Sequence, residues 1–86
     1  MFFKKNPFIV KALGRSGLLY QEGKKSMKID SEMLVGPNYD IVIYKDSVKQ
    51  WNPPFENDPV NEDDKNRILS NAKIDLQSGG YKVDFN

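Results

Sequence analysis

The side chains best suited to chemistry are the carboxylates between positions 56 and 64. Such groups act as general acids or bases where their surroundings separate their pKa values, and their oxygens also ligate calcium. This stretch has no apolar wall to raise a pKa, and it lacks the glycine and the terminal glutamate of a calcium loop. We therefore predict neither a catalytic nor a metal site here, and interpret the stretch as a solvated helix start and candidate partner-binding surface. Its members are Glu56, Asp58, Glu62, Asp63 and Asp64.

Two residue types needed for much of enzyme chemistry are missing. The 86 residues include no histidine and no cysteine. The commonest general base and transition-metal ligand are thus excluded, as are thiolate nucleophiles, disulfides and most zinc or iron–sulfur sites. The composition predicts a protein that is not an enzyme and has no cofactor.

Charge is nearly balanced overall but unevenly distributed along the chain. The 13 basic and 12 acidic residues leave a net charge of +1. Residues 1–49 carry nine basic and five acidic groups, whereas residues 50–86 carry four basic and seven acidic groups. Both halves are therefore candidate partner surfaces.

The basic N-terminal half supports an alternative function. Lysines and arginines interleaved with aromatic residues on a sheet are typical of single-strand nucleic-acid binding. Nucleic-acid-binding domains are usually strongly basic, however, and this chain is not. Nucleic acid is therefore the less favoured partner, and lysines on wet strand faces are the simpler interpretation. The residues concerned are Lys4, Lys5, Lys11, Arg15, Lys24, Lys25 and Lys28, with Phe2, Phe3, Phe8 and Tyr20.

A run of β-strands is the first set of elements that would position these groups. Alternation of apolar and polar residues, most clearly around Met27 and Ile29, predicts strands with one wet face. Glycine and proline clusters between them predict short turns, so the strands would form an antiparallel meander. The predicted strands are residues 8–13, 18–22, 25–34 and 40–44.

A helix and a last strand follow. Asn61 is a good N-cap with acidic residues in the first turn after it, and Gly79-Gly80 provides the C-terminal stop. A stripe of Ile68, Leu69, Ala72 and Leu76 forms the apolar face of the helix. Residues 81–85 alternate again as a closing strand.

The predicted fold is therefore α+β. We expect residues 1–86 to form a single domain, with residues 1–6 frayed at the end. The domain would be an antiparallel sheet of about five strands with one helix in the C-terminal half packed on one face, in the order β-β-β-β-α-β. The closing strand could also pair edge to edge in a homodimer.

Neither a secretory signal nor a membrane-spanning run is recognisable in the sequence. The first apolar run, Phe8-Ile9-Val10, is broken at Lys11 and is much shorter than the roughly 20 residues that span a bilayer. We expect a cytoplasmic protein without a membrane partner.

One stretch carries a family resemblance. Ser31-Glu32-Met33-Leu34 is followed by Ile41-Val42-Ile43-Tyr44 and then by the run from Ser47 through Trp51 to Pro54. In this order the sequence resembles the immunity protein 74 family of bacterial polymorphic toxin systems. The resemblance implies a protein that binds its cognate toxin domain and blocks it stoichiometrically.

The resemblance supplies no catalytic residue. We expect its matching positions to define the fold more than the toxin contact, although Trp51 beside two prolines could also contact a partner. These positions are Ser31, Glu32, Ser47, Trp51 and Pro54. An inhibitor of a basic nuclease would usually be more acidic than this chain, so either the 56–64 stretch suffices or the toxin is not a nuclease.

Overall fold

The structure is a computed structural model that describes residues 8–86. The fraying expected for residues 1–6 lies outside the described residues. Strands run over Phe8–Ala12 (β1), Ser16–Glu22 (β2), Lys25–Met33 (β3), Ile41–Ile43 (β4) and Val83–Phe85 (β5), with one α-helix, α1, over Glu62–Ser78. They form one five-stranded sheet in the order β1-β2-β3-β4-β5. The α+β class and the order of elements are confirmed.

The first four strands form the expected antiparallel meander. The pairing of β2 with β3 is irregular between Ser16 and Leu18. Gly17 lies at this point with a φ of +90°, and a β-carbon there would stand 2.9 Å from Cε of Lys28. Glycine therefore allows the left-handed backbone and leaves room for the end of the Lys28 side chain.

The sequence predicted a fully antiparallel sheet, and this prediction is wrong for the last strand. β5 pairs with β4 in parallel, with Ile41 opposite Val83 and Ile43 opposite Phe85. The physical reason is the crossover that precedes β5, because α1 carries the chain back along the sheet before the strand begins. A helix crossover, unlike a tight hairpin, allows two strands to run in the same direction.

One face of the sheet packs against α1 and forms the core. Leu18, Tyr20, Met27 and Ile29 are fully buried there. The predicted helix stripe is confirmed, because its four members are the buried residues of α1. On β3, the intervening side chains such as Lys28 and Asp30 are exposed on the opposite face, which is therefore the open face.

The helix begins and ends as predicted, with Ser78 directly before the paired glycines. Asn61 is the N-cap, and its side chain accepts a hydrogen bond from the backbone N–H of Asp64, whose own carboxylate accepts from the N–H of Asn61. This reciprocal pair is a capping box. Gly80, with a φ of +95°, takes the left-handed conformation, whereas Gly79 does not.

Candidate partner-binding site

The acidic stretch begins in a loop, residues 52–60, that is attached to the start of β3. The backbone N–H of Asn52 donates to the carbonyl of Ser26 at 2.7 Å, and the Asn52 side chain donates to Ser26 Oγ at 3.1 Å. Just before the loop, Trp51 is buried at 3% exposure in the core. The loop therefore leaves the core at a fixed point.

Lys25, the first residue of β3, holds the middle of this loop. Its Nζ lies 2.9 Å from Oδ2 of Asp58. The same ammonium lies 5.5 Å from the ring centre of Trp51 and 5.8 Å from that of Phe55, within the range of cation–π attraction. A single lysine thus connects three positions of the segment from 51 to 58.

Arg67 joins the start of α1 to the sheet. Its Nη1 donates to Asp64 at 2.7 Å, while Nε and Nη2 donate to the two carboxylate oxygens of Glu22 on β2 at 3.0 and 2.8 Å. The hydrogen bond from Arg67, followed by that from the Asn61 backbone, lowers the pKa of Asp64. These contacts fix the acidic helix start against the end of β2.

Glu22 also accepts a hydrogen bond from the hydroxyl of Tyr20 at 2.7 Å, and that hydroxyl in turn accepts one from Asn71 at 3.0 Å. Burial is the main reason that the pKa of Tyr20 rises to about 12, so the phenol stays protonated. Partial burial would raise the pKa of Glu22, but the hydrogen bonds from Arg67 and Tyr20 outweigh it and lower that pKa. Glu22 is therefore ionised, and its hydrogen-bond donors are Tyr20 in the core and Arg67 on α1.

The five predicted partner-binding residues fall into two groups. Asp58 and Asp64 form ion pairs within the chain. Glu56, Glu62 and Asp63 are exposed and, among residues 8–86, have no ion pair and no side-chain hydrogen bond. The two groups lie at the end of the sheet that holds the β2–β3 turn, which we call the acidic end. The paired residues Asp58 and Asp64 hold the loop and the helix in place. The other three carboxylates present negative charge to solvent.

No metal site arises from these groups in the part of the chain that the structure describes. There, no three carboxylates converge in a way that could hold a metal ion. The surface formed by residues 8–86 also contains no pocket. Chemically, the acidic end offers projecting carboxylates that can pair with cationic side chains of another molecule.

Of the two family-motif serines, one lies on β3 and the other bonds to it. Ser31 is buried at 4% exposure on β3. Ser47 Oγ donates to the carbonyl of Tyr44 at 2.6 Å and accepts from the backbone N–H of Asp30 at 2.8 Å. Ser47 therefore ties the turn after β4 to the neighbouring strand β3.

The remaining motif positions differ in exposure. Trp51 is in the core, where its ring centre lies 6.4 Å from that of Tyr20. Glu32 is exposed on the open face and accepts a hydrogen bond from the hydroxyl of Tyr44. Pro54 is exposed in the loop. The burial of Trp51 agrees with the interpretation that it packs in the core. Glu32 and Pro54, in contrast, lie at the surface.

Within the described residues, the basic and aromatic side chains of the nucleic-acid alternative are not brought together. Phe8 and Tyr20 stack on the helix-covered face with ring centres 6.1 Å apart. The alternation of β1 and β3 places Lys11 and Lys28 on the open face, and Lys25 pairs with Asp58. The other members named for this alternative, Phe2, Phe3, Lys4 and Lys5, lie outside the described residues. Residues 8–28 thus do not form an aromatic platform lined with lysines.

Sequence reasoning missed the residues that organise the acidic end. Arg67 follows Asp64 by three positions, a helical spacing at which opposite charges meet. The contact between these two residues was therefore predictable from the sequence. The contacts of Glu22 with Arg67 and of Lys25 with Asp58 join positions far apart in the chain and had none.

Comparison with known proteins gives one family. Residues 10–86 match the family model described as Immunity protein 74. No curated protein and no solved structure matches the chain significantly. Within residues 8–86, no helix combines the length and the apolar character needed to cross a membrane.

Proposed function

The chain belongs to the immunity protein 74 family, and from this membership we propose that it binds one cognate toxin domain and neutralises it stoichiometrically. The match over residues 10–86 is the observation that carries the proposal. The protein would act in the cytoplasm of a bacterium that makes a polymorphic toxin, as a single domain without chemistry of its own. Occupying the toxin surface is then sufficient for protection.

We propose the acidic end as the toxin-facing surface. Glu56, Glu62 and Asp63 supply exposed negative charge that no ion pair within residues 8–86 neutralises. Opposite charge speeds association and selects the partner. The matching toxin surface would therefore be basic, as is common where a toxin acts on a nucleic acid.

The contacts around the loop support this choice of surface. Lys25, Asn52 and Trp51 already hold the loop in one position. A preorganised loop loses less conformational freedom on binding than a flexible one, which favours tight association. A standard interface buries about 800 Å² on each partner, and the loop together with the first turn of α1 would supply its centre.

Co-expression tests the function directly. The toxin domain encoded beside this gene would be expressed with and without the protein in a sensitive strain. We expect growth to be restored and an equimolar complex to appear on gel filtration. Continued killing with no complex would overturn the proposal.

A further inference from the structure

The outer edge of β1 is a row of backbone groups without a neighbouring strand in the part of the chain that the structure describes. Among residues 8–86, the sheet ends at β1 on one side and at β5 on the other. β1 has five residues, whereas β5 has three. An open edge is a template for a further strand, because its N–H and C=O groups can form another ladder. β1 therefore offers the longer free edge.

The pairing of β1 with β2 shows which backbone groups point outward. The N–H of Leu13 donates to the carbonyl of Gly17, which lies opposite it in the β1–β2 register. Hydrogen-bonded and non-hydrogen-bonded pairs alternate along an antiparallel ladder, so every second residue back from Leu13 bonds to β2. The residues between them direct their N–H and C=O groups away from the sheet: Phe8, Val10 and Ala12.

This edge is continuous with the acidic end. Phe8, the first residue of β1, lies opposite Glu22, which pairs with Arg67 of α1. A strand added along β1 would therefore begin beside the proposed toxin-facing surface. The half-buried side chains of Phe8 and Val10 pack against the core on the helix-covered face, so apolar side chains of an added strand would extend that core.

Lys11 selects the kind of strand that this edge accepts. Its side chain is exposed on the open face, and no salt bridge engages it within residues 8–86. If all five residues of β1 paired antiparallel with β1 of a second copy, Val10 would meet its counterpart and the two Lys11 side chains would be diagonal neighbours, about 7–8 Å apart. Like charges this close oppose self-pairing, which is one way that lysine protects sheet edges. A strand with a carboxylate beside Lys11 is favoured instead.

We propose that the cognate toxin domain adds an extended strand to the outer edge of β1. This inference rests on the proposed function, because it names the toxin element that the protein binds. The added strand carries apolar side chains beside Phe8 and Val10 on the helix-covered face and an acidic side chain beside Lys11 on the open face. Main-chain hydrogen bonds to the outward-facing groups supply affinity, and the alternating side chains supply specificity.

Amide hydrogen exchange tests the added strand residue by residue. It would be measured on the full chain, free and in complex with the toxin domain encoded beside the gene. In the free protein the amides of Val10 and Ala12 should exchange fast, whereas that of Lys11, which bonds to β2, should exchange slowly. In the complex the exchange of Val10 and Ala12 should slow at least about tenfold. Fast exchange of both in a complex that does form would overturn this proposal and leave the proposed function standing.

Two pairs of substitutions test the backbone and the charge separately. Val10→Pro removes an outward-facing N–H that makes no bond to β2, so the fold should persist, and toxin binding should weaken at least about tenfold. Val10→Ala is its control, because it shortens the side chain and keeps the N–H. Lys11→Glu should also weaken binding, whereas Lys28→Glu makes the same reversal on the open face two strands away and should not. Circular dichroism identifies the variants that fold; if Val10→Pro does not, the lysine pair and the exchange measurement decide.

The outcomes separate this inference from the proposed function. Binding that Val10→Pro and Lys11→Glu weaken, with both controls close to the wild type, supports the added strand. A complex with unchanged affinity in both variants overturns the added strand alone, as does equal weakening by Val10→Pro and Val10→Ala. Absence of any complex overturns both proposals. Protection of the Val10 amide that rises with the concentration of the free chain would assign the edge to a second copy and also overturn the inference.

Discussion

Replacing Arg67 by methionine should destabilise the protein by separating the start of α1 from β2. The guanidinium makes a bidentate contact with Glu22, whose side chain is 21% exposed, while its own side chain is 43% exposed. An exposed ion pair contributes about 0–1 kcal/mol, and a charge-assisted hydrogen bond in a drier site contributes about 1.5–3 kcal/mol. The intermediate exposure places the coupling between Arg67 and Glu22 at about 1–2 kcal/mol. For a chain of this size, each kcal/mol lowers the melting midpoint by about 4–8 °C.

A double-mutant cycle isolates this coupling from other effects of the substitutions. Urea unfolding would be measured for the wild type, Arg67→Met, Glu22→Gln and the double variant. The non-additive part of the unfolding free energy should equal the coupling of about 1–2 kcal/mol. A non-additive part below about 0.3 kcal/mol would refute the view that this pair fastens the helix to the sheet.

The pH dependence gives a second readout of the same pair. The folded pKa of Glu22 lies below its ordinary value, so its contribution is fully present above the unfolded pKa of about 4.3. That contribution is lost as the pH falls through the folded pKa. In Arg67→Met the loss of stability between neutral and acidic pH should therefore be smaller than in the wild type. If the stability of Arg67→Met fell with pH as steeply as that of the wild type, Arg67 would not be what lowers the pKa of Glu22.

The remaining predictions concern the acidic end and the core. The double reversal Glu62→Lys with Asp63→Lys should weaken toxin binding at least about tenfold by calorimetry. Because both charges also favour the helix N-terminus, it should cost about 1–2 kcal/mol of stability, so binding is measured well below the melting midpoint; unchanged affinity would place the interface elsewhere. Asn61→Ala removes the helix N-cap and should cost about 1 kcal/mol in urea unfolding, with Asn61→Asp as the control that keeps the cap. Tyr20→Phe leaves the Asn71 amide without its acceptor and should cost about 1–2 kcal/mol; a midpoint equal to that of the wild type would show that the hydroxyl contributes nothing to stability.

Local pattern predicted the elements of the fold well because local physics determines them. The alternation around Met27 and Ile29 reflects a sheet with one buried face, and Asn61 caps the helix through atoms three residues away. The predicted strands differ from the observed ones mainly at their ends. Leu13 and Leu34, for example, lie beyond β1 and β3 because the chain turns there.

The direction of β5 was not predictable in the same way. Its own sequence is compatible with either orientation, and only the path of α1 decides it. The contacts of the acidic end were also not predictable from local pattern, since Glu22 and Arg67 are 45 positions apart. The sequence located the carboxylates, but which of them are paired within residues 8–86 depends on contacts that no local pattern contains.

The parallel pairing of β4 with β5 also has an entropic consequence. The hairpins between β1 and β4 close loops of a few residues, whereas residues 44–82 separate β4 from β5. Closing a flexible loop of about 40 residues costs about 2–3 kcal/mol more than closing a two-residue one. Docking of α1 lowers this cost by holding most of the intervening chain in place. The last strand and the helix should therefore open and close as one cooperative unit, so that loosening the helix also releases the edge of the sheet.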